Sequence, residues 1–527
     1  MQIDEGQPSR TSGPSAALYP ALLSVILLGA LFAAQGRIGF DPADEGFQWY
    51  GSVRTAHGGV PLRDFYSYDP GRYLWAAAWA SGLGDGILAL RLSTAIFAVG
   101  GLFLGLLAAR RALTGWVGLA LAAVVLGLWM FPRHKLFEPA ISMAAVFVAL
   151  RLLEKPSQRR HFAAGMTVGL AIFLGKNHGL YLFLVFLVLI LFLHFRIERG
   201  PLGKWLLAWG TGIAAGLAPL GIMMVLVPGF FRSYIGSILF FLAQGKTNNP
   251  LPVPWPWRVA YADLSLLEDL HGLALGLGFL LLPLFCILAV GFAAGTTRAN
   301  LGSRAPLLAA GCVALFYMHH AFSRADAPHL GQSIHPVLLG LLVLPYAVGN
   351  EPRRAAIVLK AGIAVLVAFL TVFAALPESP LVRKLARERG GERYLPSEVA
   401  GDRLLLPPEV AQLLSGVTRT VSTRLSPAEP LLILPYTPGL YPVLGRESPV
   451  WDTYLTWPAK GGSDEKMVAQ IREKQVRWAL IGDYNMDGRG DFGFRVTHPA
   501  LAEYLNRQFA SVQAPDLPQH FVLMKSK

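Results

Sequence analysis

The sequence predicts a polytopic α-helical membrane protein with about eleven transmembrane helices and a small α/β domain at its C-terminal end. Three observations predict this fold class: the chain is apolar overall, long apolar runs recur as far as residue 376, and beyond that point the runs stop and charge rises. Of the 527 residues, 54% are hydrophobic and 15% are charged, whereas soluble proteins carry about 25% charged residues. Lipid is therefore the predicted solvent of most of the chain.

A helix needs about twenty apolar residues to cross the hydrocarbon core of a bilayer. The candidate spans are 16–35, 86–109, 114–131, 138–153, 162–174, 179–195, 205–228, 270–294, 305–321, 333–349 and 355–376. Residues 1–15 are polar and are predicted to be a disordered cytoplasmic N-terminus. We interpret the run 16–35 as a retained helix, because the segment before it contains one basic residue, Arg10, and a signal peptide needs a basic start. The small residues of Ala33-Ala34-Gln35 leave cleavage open as the alternative.

The distribution of lysine and arginine predicts the orientation. If Gly175-Lys176-Asn177-His178 is a turn, alternate short loops hold most of the cations, and the loops opposite hold few. Cytoplasmic loops carry the excess of positive charge, so we predict a bacterial inner-membrane protein with a cytoplasmic N-terminus and a periplasmic C-terminal domain. Because the net charge of +13 is spread over these loops, it does not indicate nucleic-acid binding.

Two predicted periplasmic loops, 36–85 and 229–269, are long. They contain the aromatic stretch Tyr73–Trp79 and the amphipathic stretch Phe230–Leu242, which suit the membrane interface.

Residues 377–527 are predicted to form a soluble periplasmic α/β domain. Short apolar runs predict strands and amphipathic runs predict helices. The predicted strands are 431–435, 478–482 and 520–524, and the predicted helices are 464–474 and 499–508.

Carboxylates cluster in the first long loop, at Asp41, Asp44, Glu45, Asp64 and Asp69. Asp44 and Glu45 come closely after the first span, where a carboxylate is costly unless it is used. They are therefore the candidate catalytic residues. Ordinary solvated loop charges explain Asp64 and Asp69 equally well.

Basic side chains lie at the ends of spans on the same predicted side. They are Arg133, Lys135, Lys176, His178, Arg324 and His329. Snorkelling to lipid headgroups explains such positions, but the segment from His319 to His329 is more polar than a turn requires. Cations there suit an anionic lipid phosphate. A zinc site built from His319, His320, His329 and His335 is a weaker alternative.

The first loop also carries a family resemblance. Asp44-Glu45-Gly46, the segment His57–Phe65 and Tyr68-Asp69-Pro70-Gly71 resemble the GT-C superfamily of membrane glycosyltransferases. The similarity is greatest to the bacterial branch related to protein mannosyltransferases and lipid A aminoarabinose transferases. Beyond the first loop, the matched motif is the turn Arg324–His329.

The resemblance implies an inverting glycosyltransferase, transferring a hexosyl or pentosyl group from a polyprenyl-phosphate donor at the periplasmic face. The acceptor would be a hydroxyl of a lipid, glycan or protein. The C-terminal segment lacks a WWD-like motif of the oligosaccharyltransferase type, which argues against transfer to asparagine. A secondary transporter and a non-catalytic component of an envelope polysaccharide assembly system stay open, although the chain shows no internal repeat of the transporter type.

Within this frame Asp44 is the predicted general base, and Glu45 is a positioning or metal-contacting neighbour. The donor phosphate is predicted to bind Lys176 and Arg324, with His329 or Arg133 as further candidates. The other predicted substrate-binding residues are Asp41, Asp64, His178 and Asp326.

No cofactor is certain, and a divalent metal (Mg, Mn or Ca) is left open. Asp483, Asn485, Asp487 and Asp491 occupy positions one, three, five and nine of a calcium-loop pattern, with Gly488 at the turn. Position twelve is Phe494 where a glutamate is expected. A plain Asp-Gly turn fits this segment better than a calcium site.

Overall fold

The computed structural model describes residues 15–113, 115–246, 248–261, 265–348, 353–483 and 485–527. The chain is mostly helical up to residue 389. The helices of this part are α1 (Ser15–Gln35), α2 (Asp44–Ala56), α3 (Pro70–Leu83), α4 (Ile87–Ala109), α5 (Trp116–Leu128), α6 (Phe137–Glu154), α7 (Gln158–Leu174), α8 (Lys176–Phe192), α9 (Leu202–Gly216), α10 (Ala218–Leu226), α11 (Phe230–Gln244), α12 (Leu266–Ala294), α13 (Leu301–Ser323), α14 (Ala327–Ser333), α15 (His335–Ala347), α16 (Arg353–Leu370) and α17 (Pro380–Arg389).

Within the described part of the chain, six helices are long and apolar enough to cross a membrane, as expected of a multi-pass membrane protein. Two bent pairs, α9 with α10 at 49° and α14 with α15 at 53°, raise the number to eight if each pair is one span. The eleven predicted spans are therefore not confirmed as a count. Two of the predicted spans fold as helices of 13 residues (α5) and 17 residues (α7), which are short for a membrane crossing. A third, α6, contains three charged residues, Glu138, Arg151 and Glu154.

The predicted break between the fifth and sixth spans is confirmed, but it is confined to Gly175, and residues 176–178 already belong to α8. Helix α7 ends at Leu174, and α8 begins at Lys176 after the extended residue Gly175. The two helices fold back on each other and pack closely at Gly179. A Cβ at this position would lie 2.1 Å from Cγ1 of Ile172, so only glycine fits there. The predicted amphipathic segment of the second long loop is also confirmed as the helix α11.

The C-terminal part combines helices with two small sheets. Its elements are β1 (Leu395–Val399), β2 (Asp402–Leu406), α18 (Pro408–Arg424), β3 (Leu431–Leu434), α19 (Leu440–Val443), α20 (Ser463–Glu473), β4 (Trp478–Gly482), α21 (Phe494–Thr497), α22 (Pro499–Gln508), β5 (Phe509–Val512) and β6 (Phe521–Ser526). Strands β1 and β2 form an antiparallel pair, and the other four lie in the order β3-β4-β6-β5. Strands β3 and β4 are parallel, with Leu432 opposite Ala479, and β6 runs antiparallel to both β4 and β5. The three predicted strands and two predicted helices are confirmed to within a few residues.

The first long loop is docked on this C-terminal part. The amide of Gly39 donates to the carbonyl of Leu405 at 2.7 Å, and the amide of Gly439 donates to the carbonyl of Pro42 at 3.0 Å. Phe40, Trp49 and Tyr50 share a buried hydrophobic cluster with residues of the C-terminal sheet. This docking brings side chains from the two ends of the sequence to one site.

Candidate active site

Asp44 is the first residue of α2, and its position is set by Asp41. The amides of Ala43 and Asp44 donate to the Asp41 carboxylate at 2.9 and 3.1 Å. A carboxylate at a helix N-terminus is also stabilised by the helix dipole. Asp41 and Asp44 are thus held together by the local geometry of the helix start.

The carboxylate of Asp44 accepts a hydrogen bond from the phenol of Tyr454, with 2.6 Å between Oδ1 and the hydroxyl oxygen. Tyr454 belongs to an irregular segment of the C-terminal part, and its ring stacks on Phe47 with the centroids 5.0 Å apart. Burial raises the pKa of Asp44, but the positive charge of the nearby Lys135 and the hydrogen bond from the Tyr454 hydroxyl lower it, and the pKa lies below its usual value. Asp44 is therefore an ionised carboxylate at neutral pH.

Glu45 forms ion pairs with two arginines, Arg91 and Arg133. Its two oxygens accept hydrogen bonds from Arg91 at 2.8 Å each, and from Arg133 at 2.7 and 3.1 Å. The carboxylate is 1% exposed, and both arginines also donate to the carbonyl of Gly39. Every oxygen of Glu45 is thus used in holding the first loop against α4 and the turn before α6.

That turn, Arg133–Lys135, presents three basic residues in a 3-10 helix. The ammonium of Lys135 donates to the hydroxyl of Tyr68 at 2.6 Å and lies close enough to Asp44 to lower the pKa of that carboxyl. Burial lowers the pKa of His134 to about 4, which keeps its imidazole neutral. Its Nε2 has no hydrogen-bond partner among the residues that the structure describes.

The turn between α13 and α14 is a second polar group. Asp326 accepts from the backbone amide of His329 at 2.9 Å and lies 2.7 Å from its Nδ1, while Arg324 donates to the other oxygen at 2.8 Å. Arg324 also binds the Asp487 carboxylate through both terminal nitrogens, at 3.0 and 2.5 Å. The turn therefore lies between the helix bundle and the C-terminal part.

Three predicted residues have partners away from Asp44. The ammonium of Lys176 contacts Asp69 at 2.5 Å, and His178 lies 3.9 Å from Glu138 inside the bundle. The carboxylate of Asp64 pairs with its neighbour Arg63 at 2.7 Å. Their predicted roles in substrate binding stay predictions.

A cavity of about 320 Å³ opens beside Asp44. Its polar lining comes from Gln35, Asp41, Asp44, Glu45, Arg91, Arg133 and His134, and from Glu378, Ser379 and Arg383. An apolar wall comes from α1, α5 and the segment after α5. The large apolar lining residues are Leu28, Leu31, Phe32, Leu128, Met130, Phe131 and Leu136. Such a cavity suits a molecule with both a polar part and a hydrocarbon part.

The site residues do not fit a divalent cation at Asp44. Within the described ranges, no three His, Cys, Asp or Glu side chains are placed to hold a metal ion together. Glu45 already carries two arginines, and the neighbours of Asp44 include a lysine, a neutral histidine and the carboxylate of Asp41. The cations Arg91, Arg133 and Lys135 thus already balance these carboxylates and would compete with a metal ion for their oxygens.

The histidines of the alternative zinc site have separate partners. His335 lies 3.0 Å from the carbonyl of Leu126, His319 lies 2.8 Å from the hydroxyl of Tyr181, and His320 lies 3.1 Å from Gln332. In the candidate calcium loop, Asp487 pairs with Arg324 and Asp491 pairs with Arg489. Calcium binding there stays a prediction.

Solved structures of membrane transferases superpose on most of this chain. ArnT from Cupriavidus metallidurans in the apo state gives a TM-score of 0.52 over 97% of this chain and 98% of that one, at 15% identity. ArnT bound to undecaprenyl phosphate gives a TM-score of 0.50, at 14% identity and with the same coverage. The oligosaccharyltransferase of Archaeoglobus fulgidus in the apo form gives 0.51 at 13% identity, over 96% of this chain and 75% of that one.

The chain has the fold of the GT-C transferases. The resemblance inferred from the first loop is therefore confirmed at the level of the fold. By sequence, no protein-family model and no curated protein matches the chain.

Sequence patterns alone do not place four residues at this site. Arg91 lies in an apolar helix, and nothing local marks it as the partner of Glu45. Lys135 is one of several cations at the ends of spans, and His134 lies between two of them. Tyr454 is 410 residues from Asp44, although the aromatic-rich segment Trp451–Trp457 is a visible signal.

Proposed function

We propose that the protein is a membrane glycosyltransferase that moves a sugar from a polyprenyl-phosphate donor to an acceptor hydroxyl, with Asp44 as general base. One observation carries the proposal: an ionised aspartate lines a cavity that also has an apolar wall from α1, α5 and the segment after α5. The GT-C fold supports the same assignment.

The proposed reaction is a single displacement. The acceptor oxygen attacks the anomeric carbon while its proton passes to the carboxylate of Asp44. The bond between that carbon and the donor phosphate oxygen breaks, and the phosphate leaves with the electron pair. Attack from the face opposite the leaving group inverts the anomeric configuration.

Lys135 and Arg324 are the cations proposed to stabilise the leaving phosphate. Lys135 lies beside Asp44 and near Asp326, which is itself bound by Arg324. Preorganised cations near developing negative charge supply a large part of enzymatic rate enhancement. Arg133 lines the cavity and its guanidinium is paired with Glu45, so its predicted role in phosphate binding stays a prediction outside this proposal.

The apolar walls of the cavity are proposed to hold the first isoprene units of the donor. Leu28 and Leu31 come from α1 and Leu128 from α5, two helices whose other faces expose Leu22, Ile26 and Leu121. These two helices thus offer apolar side chains both toward the cavity and on their exposed faces, which a lipid chain could follow. ArnT has been crystallised with undecaprenyl phosphate, which is consistent with such a donor.

The remaining elements of the proposal rest on the topology. We infer that the site faces the periplasm of a bacterial inner membrane, and that residues 377–527 form a periplasmic domain which completes the site through Tyr454. The acceptor would be a lipid, glycan or protein hydroxyl. A divalent cofactor has no part in this proposal.

Turnover of natural donors tests the proposal. Purified protein in lipid nanodiscs is incubated with total polyprenyl-phosphate-linked sugars and membrane lipids extracted from the source bacterium. Mass spectrometry monitors the loss of each lipid-linked sugar and the release of polyprenyl phosphate. We expect one donor to be consumed by the wild-type protein, and consumption of none would contradict the assignment.

A further inference from the structure

The guanidinium of Arg324 binds a carboxylate from the C-terminal part, that of Asp487. Both oxygens of Asp487 bind its two terminal nitrogens, at 3.0 and 2.5 Å. A carboxylate and a phosphate present the same pair of oxygens to a guanidinium, which binds either one through two parallel hydrogen bonds. Asp487 therefore occupies Arg324 in the way that a phosphate would.

The backbone around Asp487 presents this carboxylate at the tip of a tight turn. Asp487 has a φ of 57° and Gly488 a φ of 66°, so two successive residues lie in the left-handed region that only glycine adopts without cost. The far end of the loop is tied elsewhere, because the hydroxyl of Tyr436 donates to the carbonyl of Phe492 at 2.6 Å. The contacts of the loop tip with the rest of the protein thus include the Arg324–Asp487 pair and a longer hydrogen bond from Arg489 to the carbonyl of Pro250, at 3.4 Å.

Arg324 connects three separate segments through this contact. Its Nε binds Asp326 in the turn before α14, and its Nη1 also lies 3.4 Å from the carbonyl of Asn249 in the second long loop. Asn249 in turn donates to the carbonyl of Thr456 at 2.8 Å, two residues after Tyr454. Release of Asp487 from Arg324 would therefore change contacts near Tyr454, the hydrogen-bond partner of Asp44.

We infer that Asp487 is an internal occupant of the phosphate site, which the donor phosphate displaces from Arg324 when it binds. This inference rests on the proposed function, because it requires Arg324 to bind the donor phosphate. The Arg324 side chain is 17% exposed and that of Asp487 is 19% exposed. Because neither side chain is fully buried, an incoming phosphate can reach the pair. Displacement couples arrival of the donor to release of the loop 485–493 from the bundle.

Affinity for undecaprenyl phosphate tests the inference in the full-length protein in nanodiscs. Asp487→Asn removes the competing charge, so the lipid should bind at least about 5-fold tighter, the lower end of typical coupling between two ligands of one site. Arg324→Gln should weaken binding, and the double variant should behave like Arg324→Gln. Asp516→Asn is the matched control, because it removes a carboxylate that pairs with Arg419 on the exposed surface of the same C-terminal part.

Hydrogen exchange gives a readout that needs no variant. Amides of residues 485–493 should exchange faster when the wild-type protein is saturated with undecaprenyl phosphate. An unchanged affinity of Asp487→Asn, or no rise in this exchange, overturns the inference while leaving Arg324 in the donor site. If Arg324→Gln binds the lipid as tightly as wild type, both the inference and the proposed role of Arg324 are wrong.

Discussion

The phenol of Tyr454 donates a 2.6 Å hydrogen bond to the carboxylate of Asp44 across 410 residues of sequence. One residue comes from the first long loop and the other from the C-terminal part. The contact therefore makes the proposed general base dependent on the docking of the C-terminal part.

Replacement of Tyr454 by phenylalanine should alter the pH dependence of transfer. The Tyr454 hydroxyl lowers the pKa of Asp44, after the larger effects of burial in the opposite direction and of Lys135. Loss of the hydroxyl therefore raises the pKa of Asp44, and the acidic limb of kcat/KM should move to higher pH. Lys135→Met should move the limb in the same direction and further.

Tyr504→Phe serves as the control for that experiment, because Tyr504 lies on α22 and packs against Phe509. Its acidic limb should coincide with that of the wild-type protein. An unshifted limb in both Tyr454→Phe and Lys135→Met would show that the group titrating in the profile is not Asp44.

Glu45→Gln should destabilise the protein strongly. The substitution keeps the shape of the side chain but leaves Arg91 and Arg133 without their shared carboxylate, and breaking a buried ion pair costs about 3–5 kcal/mol. We expect a large fall in the melting temperature in detergent. Glu154→Gln is the matched control, since Glu154 also binds two arginines, Arg111 and Arg151, but is 21% exposed. Equal melting of the two variants would argue against a structural role for Glu45.

Gly46→Ala should weaken the docking of the first loop on the C-terminal part. A Cβ at Gly46 would lie 2.6 Å from the Cα of Gly439 and 2.7 Å from its nitrogen, and these backbone atoms have no flexible side chain that could yield. We expect reduced transfer and faster hydrogen exchange of residues 436–443. The control Gly82→Ala adds the same methyl group to α3, where it meets no atom within 4 Å, so its exchange and transfer should match wild type.

Calcium binding by the segment 483–491 should be weak. A calcium ion would compete with Arg324 for Asp487 and with Arg489 for Asp491, and the loop has Phe494 in place of the bidentate glutamate. We expect no shift in melting temperature of the full-length protein at roughly millimolar calcium, the weak end of known calcium loops. A calcium-dependent shift that Asp483→Asn abolishes would establish the site.

Sequence patterns are informative wherever the physical cause is local. The strands at 431 and 478 are predictable because both are short apolar runs that end up buried, and Asp41 and Asp44 are close neighbours at one helix start. In contrast, β1 has a mostly exposed pattern and therefore no apolar signature, so the β1–β2 pair is absent from the sequence prediction.

Long-range partners of the site cannot be deduced in the same way. Arg91 lies 46 residues from Glu45 within an apolar helix, where a charge suggests a partner but does not name it. The number of spans cannot be predicted from the sequence either. Length and apolarity do not distinguish a helix that crosses the membrane from a short packed helix such as α5. These features depend on tertiary packing, which single-sequence patterns do not encode.

Turnover by Asp44→Asn tests the proposed base most directly. The substitution preserves the size of the side chain and its hydrogen bond with Tyr454 but removes its basicity. The assay measures release of polyprenyl phosphate from the lipid-linked sugar that the wild-type protein consumes, in nanodiscs and at saturating donor. The proposal predicts a fall in kcat of about 10²-fold or more with the melting temperature retained. A well-folded Asp44→Asn protein that turns over at the wild-type rate would contradict it.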